Sequence, residues 1–139
     1  MKRRIIVFAG ITGLLTLLVA QSAFGFMFRN TFVPDGNLYF DGRVAMITAE
    51  IECTAGETVR VEATLTQGET RAIGRGVSRA LCEGEGEHNT VFIPIRIVAE
   101  RGYYFEPGEA EATGLAMTVY NDARTDVRQW KPANPLTLH

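Results

Sequence analysis

Between Cys82 and Thr90 the chain reads CEGEGEHNT, the densest gathering of reactive side chains in the sequence. Glu83, Glu85 and Glu87 alternate with glycines, and His88 is the only histidine before the terminal His139. Three carboxylates so close together are hard oxygen donors, which is calcium chemistry. The stretch lacks the Asp-x-Asp spacing of calcium loops, and its glycines make a bound geometry costly to order. The alternative is a solvated connection between strands, kept soluble by like charge.

Catalysis has little to work with. A Ser–His–Asp hydrolase would rest on His88 alone, and no G-x-S-x-G elbow is present. Two glutamates would serve a glycosidase, but every candidate carboxylate sits in a loop or on a polar face where nothing desolvates it. Cys53 and Cys82 match no metal spacing. In an exported chain an even pair reads as one disulfide, which removes the thiol nucleophile. The second conspicuous stretch is RGYYFEPGE, residues 101–109. Tyr103 and Tyr104, with Trp130, would make an aromatic platform for a glycan or a protein. The competing arrangement has Phe105 plugging one end of the fold with the tyrosines over its rim.

These residues need a compartment and a scaffold. The chain opens MKRRIIVFAGITGLLTLLVAQSAFG, with Lys2, Arg3 and Arg4 ahead of an uncharged run from Ile5 to Phe28. That is the pattern of a secretory signal peptide, with small residues at Ala20, Ser22, Ala23 and Gly25 for cleavage. An uncleaved membrane anchor is the rival, and both readings carry the rest of the chain out of the cytoplasm. Losing Lys2, Arg3 and Arg4 from the 14 basic residues leaves 11 against 16 acidic ones. With no basic run, nucleic acid is a poor fit as a partner on charge. Lys131 is the only lysine left; the remaining cations are arginines.

Past residue 30 the apolar pattern has period two. Ala45, Ile47, Ala49, Ile51 and Cys53 share one face; so do Val59, Val61, Ala63 and Leu65, and so do Val91, Ile93, Ile95, Ile97 and Ala99. Pro94 cannot donate to a ladder and marks an edge or a bulge. Ala72, Gly74, Gly76, Ser78, Ala80 and Cys82 form a small face, suited to a groove or to close approach of an aromatic or the opposite sheet. In EAEATGLAMTVYN the apolar phase shifts from Ala110 and Ala112 to Leu115, Met117 and Val119, which places a bulge near Gly114. NLYF and TDVRQW are weaker strands, and PDGN, TAGE, QGE and EPGE are turn chemistry.

The pattern predicts an all-β, immunoglobulin-like antiparallel sandwich of about seven strands, preceded by an N-terminal signal or anchor helix. The expected organisation is a leader over 1–25, a linker over 26–36, a sandwich over 37–131 and an extended tail over 132–139. In a flat three-strand meander Cys53 and Cys82 would lie about 9.6 Å apart, beyond the roughly 7 Å a disulfide spans. The chain is therefore expected to cross between sheets at about residues 67–70, so that the bridge joins the two layers.

The block C-T-A-G…L-T-Q-G…G-R-G…L-C-E-G…Y-F-E-P-G-E-A resembles a class of small exported immunoglobulin-like proteins from actinobacteria and similar bacteria. The matching positions are Cys53, Gly56, Gln67, Gly68, Gly74, Gly76, Cys82, Phe105, Pro107, Gly108 and Ala110, within roughly residues 40 to 120. That class often carries an aromatic on the strand after the second cysteine, where Phe92 is the nearest candidate. The resemblance implies a fold and a location, and no activity. The functional expectation is a non-enzymatic module without a cofactor. It would sit at the cell envelope or outside the cell, with a protein or glycan partner, and touch the membrane only through an uncleaved leader. A calcium or small-ligand protein using loop 83–88 and a secreted hydrolase are the alternatives.

Overall fold

The computed structural model describes residues 30–120, 123–129 and 133–139. The expected leader or anchor helix, 1–25, and Trp130 lie outside them. Nine strands are described: β1 (Asn30–Phe32), β2 (Asp35–Tyr39), β3 (Val44–Cys53), β4 (Thr58–Gln67), β5 (Ala72–Leu81), β6 (Asn89–Ala99), β7 (Gly108–Tyr120), β8 (Ala123–Gln129) and β9 (Asn134–Leu138). All pairings are antiparallel except that of β2 with β9.

The strands form two groups. In the first, β3 pairs with β6 along its whole length, and its other edge takes β2 and then β1. In the second, β4 lies between β5 and β7, and the outer edge of β7 takes β9 over Gly108–Ala112 and β8 over Leu115–Tyr120. The groups join at one end of the molecule. There β2 runs parallel to β9, pairing Asp35 with Thr137 and Gly36 with Leu138, and β5 meets β6 through Gly74–Ala99 and Arg75–Val98. The hydrogen-bonded circuit β2–β3–β6–β5–β4–β7–β9 is thus closed at this end. At the other end the β5–β6 ladder has stopped, and β5 and β6 no longer pair.

The Cys53–Cys82 disulfide sits at that open end, with Cα atoms 6.2 Å apart and a sequence separation of 29. It supplies a covalent tie between β3 and the end of β5, two strands that do not pair with each other. The bridge joins the two groups as expected, but the crossing point does not. β4 and β5 pair in full register from Thr58–Leu81 to Gln67–Ala72, so residues 68–71 are a hairpin within one group. The chain changes group instead at 54–57, between β3 and β4. Either crossing brings both cysteines to one end, so the distance argument could not separate them.

Period-two alternation is obeyed because each strand has one face on a shared core. Ile47, Ile51, Cys53, Val59, Val61, Leu65, Ile93, Ile95 and Ile97 are fully buried in it. The small face of β5 serves close approach: a β-carbon on Gly74 would lie 2.6 Å from the Val98 carbonyl oxygen, and one on Gly76 would overlap that of Arg96. Pro94 pairs with Thr48, and its other side lies beyond the short β5 ladder, on the edge that proline requires.

Three further expectations change. β7 pairs with β4 without a register shift through Gly114; Ala110, Ala112, Ala116 and Thr118 continue one buried face, leaving Leu115, Met117 and Val119 on the other, where Met117 is buried outside the main core cluster. The irregularity lies between Thr118 and Val119, in the pairing with β8. The segment expected as a tail contains β9, which places Leu136 and Leu138 in the core at 3% and 1% exposure. The expected linker contains β1 and the start of β2, with Phe32 buried. Strand pairing therefore reaches beyond the predicted domain limits at both sides, and about seven strands become nine.

Candidate functional site

The candidate site lies at the closed end. The turn after β2 has positive φ at Phe40, Asp41 and Gly42 (53°, 54° and 80°). Gly42 is required there, since a β-carbon would run into the Phe105 carbonyl. Its own carbonyl accepts the Phe105 N–H at 2.9 Å. Phe105 is 2% exposed and plugs this end of the core.

Gln67, itself buried, fixes the next residue from both sides. Its Nε2 donates to the Glu106 carbonyl at 2.7 Å, and its Oε1 accepts the Glu106 N–H at 2.8 Å and the Thr70 hydroxyl at 2.9 Å. The connection 100–107 is therefore held in shape without secondary structure. It presents Tyr103 and Tyr104 to solvent, 50% and 43% exposed, while Phe105 takes the interior.

Tyr104 joins residues that the sequence patterns had not singled out. The Arg43 guanidinium lies 5.4 Å from the Tyr104 ring centroid, a cation–π contact. Beside this pair an open groove of about 380 Å³ is lined by Phe40, Arg43, Arg96, Val98, Arg101 and Tyr104, with Val44 and Ala99 beneath. Its volume is in the range of small-ligand sites. Phe40 and Val98 are 68% and 51% exposed, two of nine exposed large hydrophobic residues among those described. None of the ion pairs among the described residues uses Arg43, Arg96 or Arg101, whereas neighbouring Arg75 lies 4.0 Å from Glu100. The result is an apolar floor bounded by three guanidinium groups, shaped for a carboxylate, sulfate or phosphate carried on a less polar body.

A larger depression of about 1050 Å³ opens near the 68–71 hairpin, between Gln67, Arg71, Glu109, Glu111 and Thr137. It mixes both charges, and the Gln67 amide is already engaged in the bonds above.

The acidic loop lies at the opposite, open end. Asn89 organises it: Oδ1 accepts the Glu85 N–H at 3.2 Å, and Nδ2 donates to the Gly86 carbonyl at 2.9 Å. The Ala55 N–H also binds the Gly86 carbonyl at 2.9 Å, tying the loop to the 54–57 crossing. Gly84 and Gly86 have φ of 113° and 72°, so glycine is needed at both. Glu83, Glu85, Glu87 and His88 are all exposed. Among the described residues no group of three or more His, Cys, Asp or Glu side chains is placed to hold a metal, so the geometry lends the calcium alternative no support. The backbone bonds that shape the loop leave its carboxylates spread into solvent. Phe92, the aromatic of the resemblance, points outward at 58% exposure.

Of the aromatics that the sequence singles out, Tyr104 lines the groove and Tyr103 is exposed outside its lining; Phe40, Arg43, Arg96 and Arg101 are not singled out by it. The signal was there in part, in the preference for arginine over lysine and in Arg96 and Val98 on the polar phase of β6. Comparison with models of known families, with curated proteins and with solved structures gives no match.

Proposed function

We propose that this chain is an exported, non-enzymatic module that binds a partner at the cell envelope or outside the cell through the arginine–aromatic groove. One observation carries the reading. Phe40, Val98 and Tyr104 stand exposed on a turn, a strand and a connection, beside Arg43 and Arg96, which have no carboxylate partner among the described residues. Exposed apolar groups gathered on a rigid frame are the usual mark of a recognition surface. The disulfide indicates an oxidising compartment, in keeping with the signal-like N-terminus.

We also read the architecture as a variant of the immunoglobulin-like sandwich, akin to the small exported proteins of the resemblance. Support comes from the three crossings between the β1/β2–β3–β6 group and the β5–β4–β7–β9 group, at β3 to β4, β5 to β6 and β6 to β7, and from the parallel pairing of β2 with β9. The residues of that resemblance act as frame: Gln67 anchors Glu106, Phe105 fills the closed end, and Gly74 and Gly76 admit β6. The bridge differs from that of antibody domains, joining β3 to the end of β5.

Retention of the tagged full chain in the envelope fraction of its host tests the function. Arg96→Gln/Arg101→Gln should release the protein to the medium or the soluble fraction while leaving its melting temperature unchanged. Equal retention of wild type and variant would remove the groove from the function.

A further inference from the structure

The two conspicuous loops of this chain lie at opposite ends, and their chemistry is complementary. Glu83, Glu85 and Glu87 stand exposed at the open end. Arg43, Arg96 and Arg101 bound an apolar floor at the closed end and make no ion pair among the described residues. We propose that the groove receives the acidic loop of a second copy of this chain, so that molecules associate head to tail. This rests on reading the groove as a binding surface, and adds the identity of its occupant.

Geometry decides between the possible ways of joining loop and groove. A molecule cannot fill its own groove, because loop and groove flank opposite ends of β6. That strand has 11 residues, and at about 3.3 Å per residue it holds them some 35 Å apart. Two copies cannot pair groove to groove either, since a two-fold contact would set guanidinium against guanidinium, and like charges brought together are strongly disfavoured. What remains is a heterologous contact, closed end to open end. The same contact can repeat on the next molecule, which gives an open chain.

The loop is built to be presented. Asn89 and Ala55 fix its backbone at Glu85 and Gly86, so little order has to be imposed on docking. Gly84 and Gly86 carry no side chain between the glutamates. The loop therefore offers alternate carboxylates on a slim ribbon, able to lie over Phe40, Val98 and Tyr104 while the carboxylates reach the guanidinium groups around them. Arginine suits this role better than lysine, because its planar fork takes a carboxylate through two parallel hydrogen bonds.

Sedimentation equilibrium of the exported protein tests the proposal, with two variants: the loop-neutral Glu83→Gln/Glu85→Gln/Glu87→Gln and the groove-neutral Arg96→Gln/Arg101→Gln. All five positions are exposed, and matching melts show that the variants fold. The wild-type weight-average mass should climb with concentration toward the millimolar range without settling at a dimer, and fall back to monomer on raising salt from about 0.02 to about 0.5 M. Each variant alone should stay monomeric. An equimolar mixture should form a one-to-one complex and nothing larger, because the intact groove of the first variant accepts the intact loop of the second. A monomeric wild type, a variant that associates as wild type does, or a mixture that stays monomeric overturns the proposal. Envelope retention separates this from the broader reading. If the groove-neutral variant loses retention while the wild type sediments as a monomer, the groove serves another partner and only the second-copy proposal falls. If retention is unchanged and nothing associates, both fall.

Discussion

Gly76 on β5 lies so near the Arg96 carbonyl of β6 that an added β-carbon would overlap its oxygen. Two strands from different groups cross here almost backbone to backbone, and Arg96 is itself a wall of the groove. The small face of β5 thereby connects the fold to the site: it sets how closely β6, which carries Arg96 and Val98, can lie.

Gly76→Ala should therefore destabilise by about 1–3 kcal/mol through overpacking. Its φ is not left-handed, so the cost comes from the carbonyl it meets. Gly68→Ala is the control, since a β-carbon there meets nothing within 4 Å and should stabilise by up to about 1 kcal/mol through the unfolded chain. Urea melts of the two variants should move in opposite directions.

Gln67→Ala should cost about 2 kcal/mol, because it strands the Glu106 N–H and carbonyl together. The loss should concentrate in the 100–107 connection. Amide exchange at Tyr104–Glu106 should accelerate more than exchange in β3, and a uniform acceleration would contradict the role given to this side chain.

Leu136→Ala and Leu138→Ala should each cost about 3 kcal/mol, as core truncations do. A mobile tail would show changes within about 0.5 kcal/mol. Thermal melts distinguish a strand that closes the circuit with β2 from a segment that merely follows the fold.

Cys53→Ser/Cys82→Ser should lower stability by about 3–4 kcal/mol for the loop that the bridge closes, in the chain-entropy account. The bridge stands where the β5–β6 ladder has ended, so exchange should rise most at the open end, around 82–89.

The elements were legible wherever a strand has one face on the core. Ile47 and Ile51, Val59 and Val61, and Ile93, Ile95 and Ile97 alternate in sequence and are buried as they alternate. Connectivity was not legible. Residues 54–57 and 68–71 are turn segments of equal length; one crosses between groups and the other closes a hairpin. Local turn chemistry does not record which strand waits on the far side.

The slip expected at Gly114 came from assuming that larger apolar residues face inward. The isoleucines of β3 and β6 already fill the core, so β7 turns its alanines in. In the last strand, Pro135 obscured the alternation of Leu136 and Leu138. The groove was illegible for a different reason: its walls come from a turn, a strand and a connection that only the fold brings together.

The account depends on a domain that resides outside the reducing cytosol with its two strand groups tied by sulfur. Non-reducing peptide mapping of the protein recovered from its own host's envelope or medium tests that most directly. The result predicted is a single linked peptide pair joining Cys53 to Cys82, with no alkylatable thiol. Free Cys53 and Cys82 in material recovered from the cytosol would contradict it.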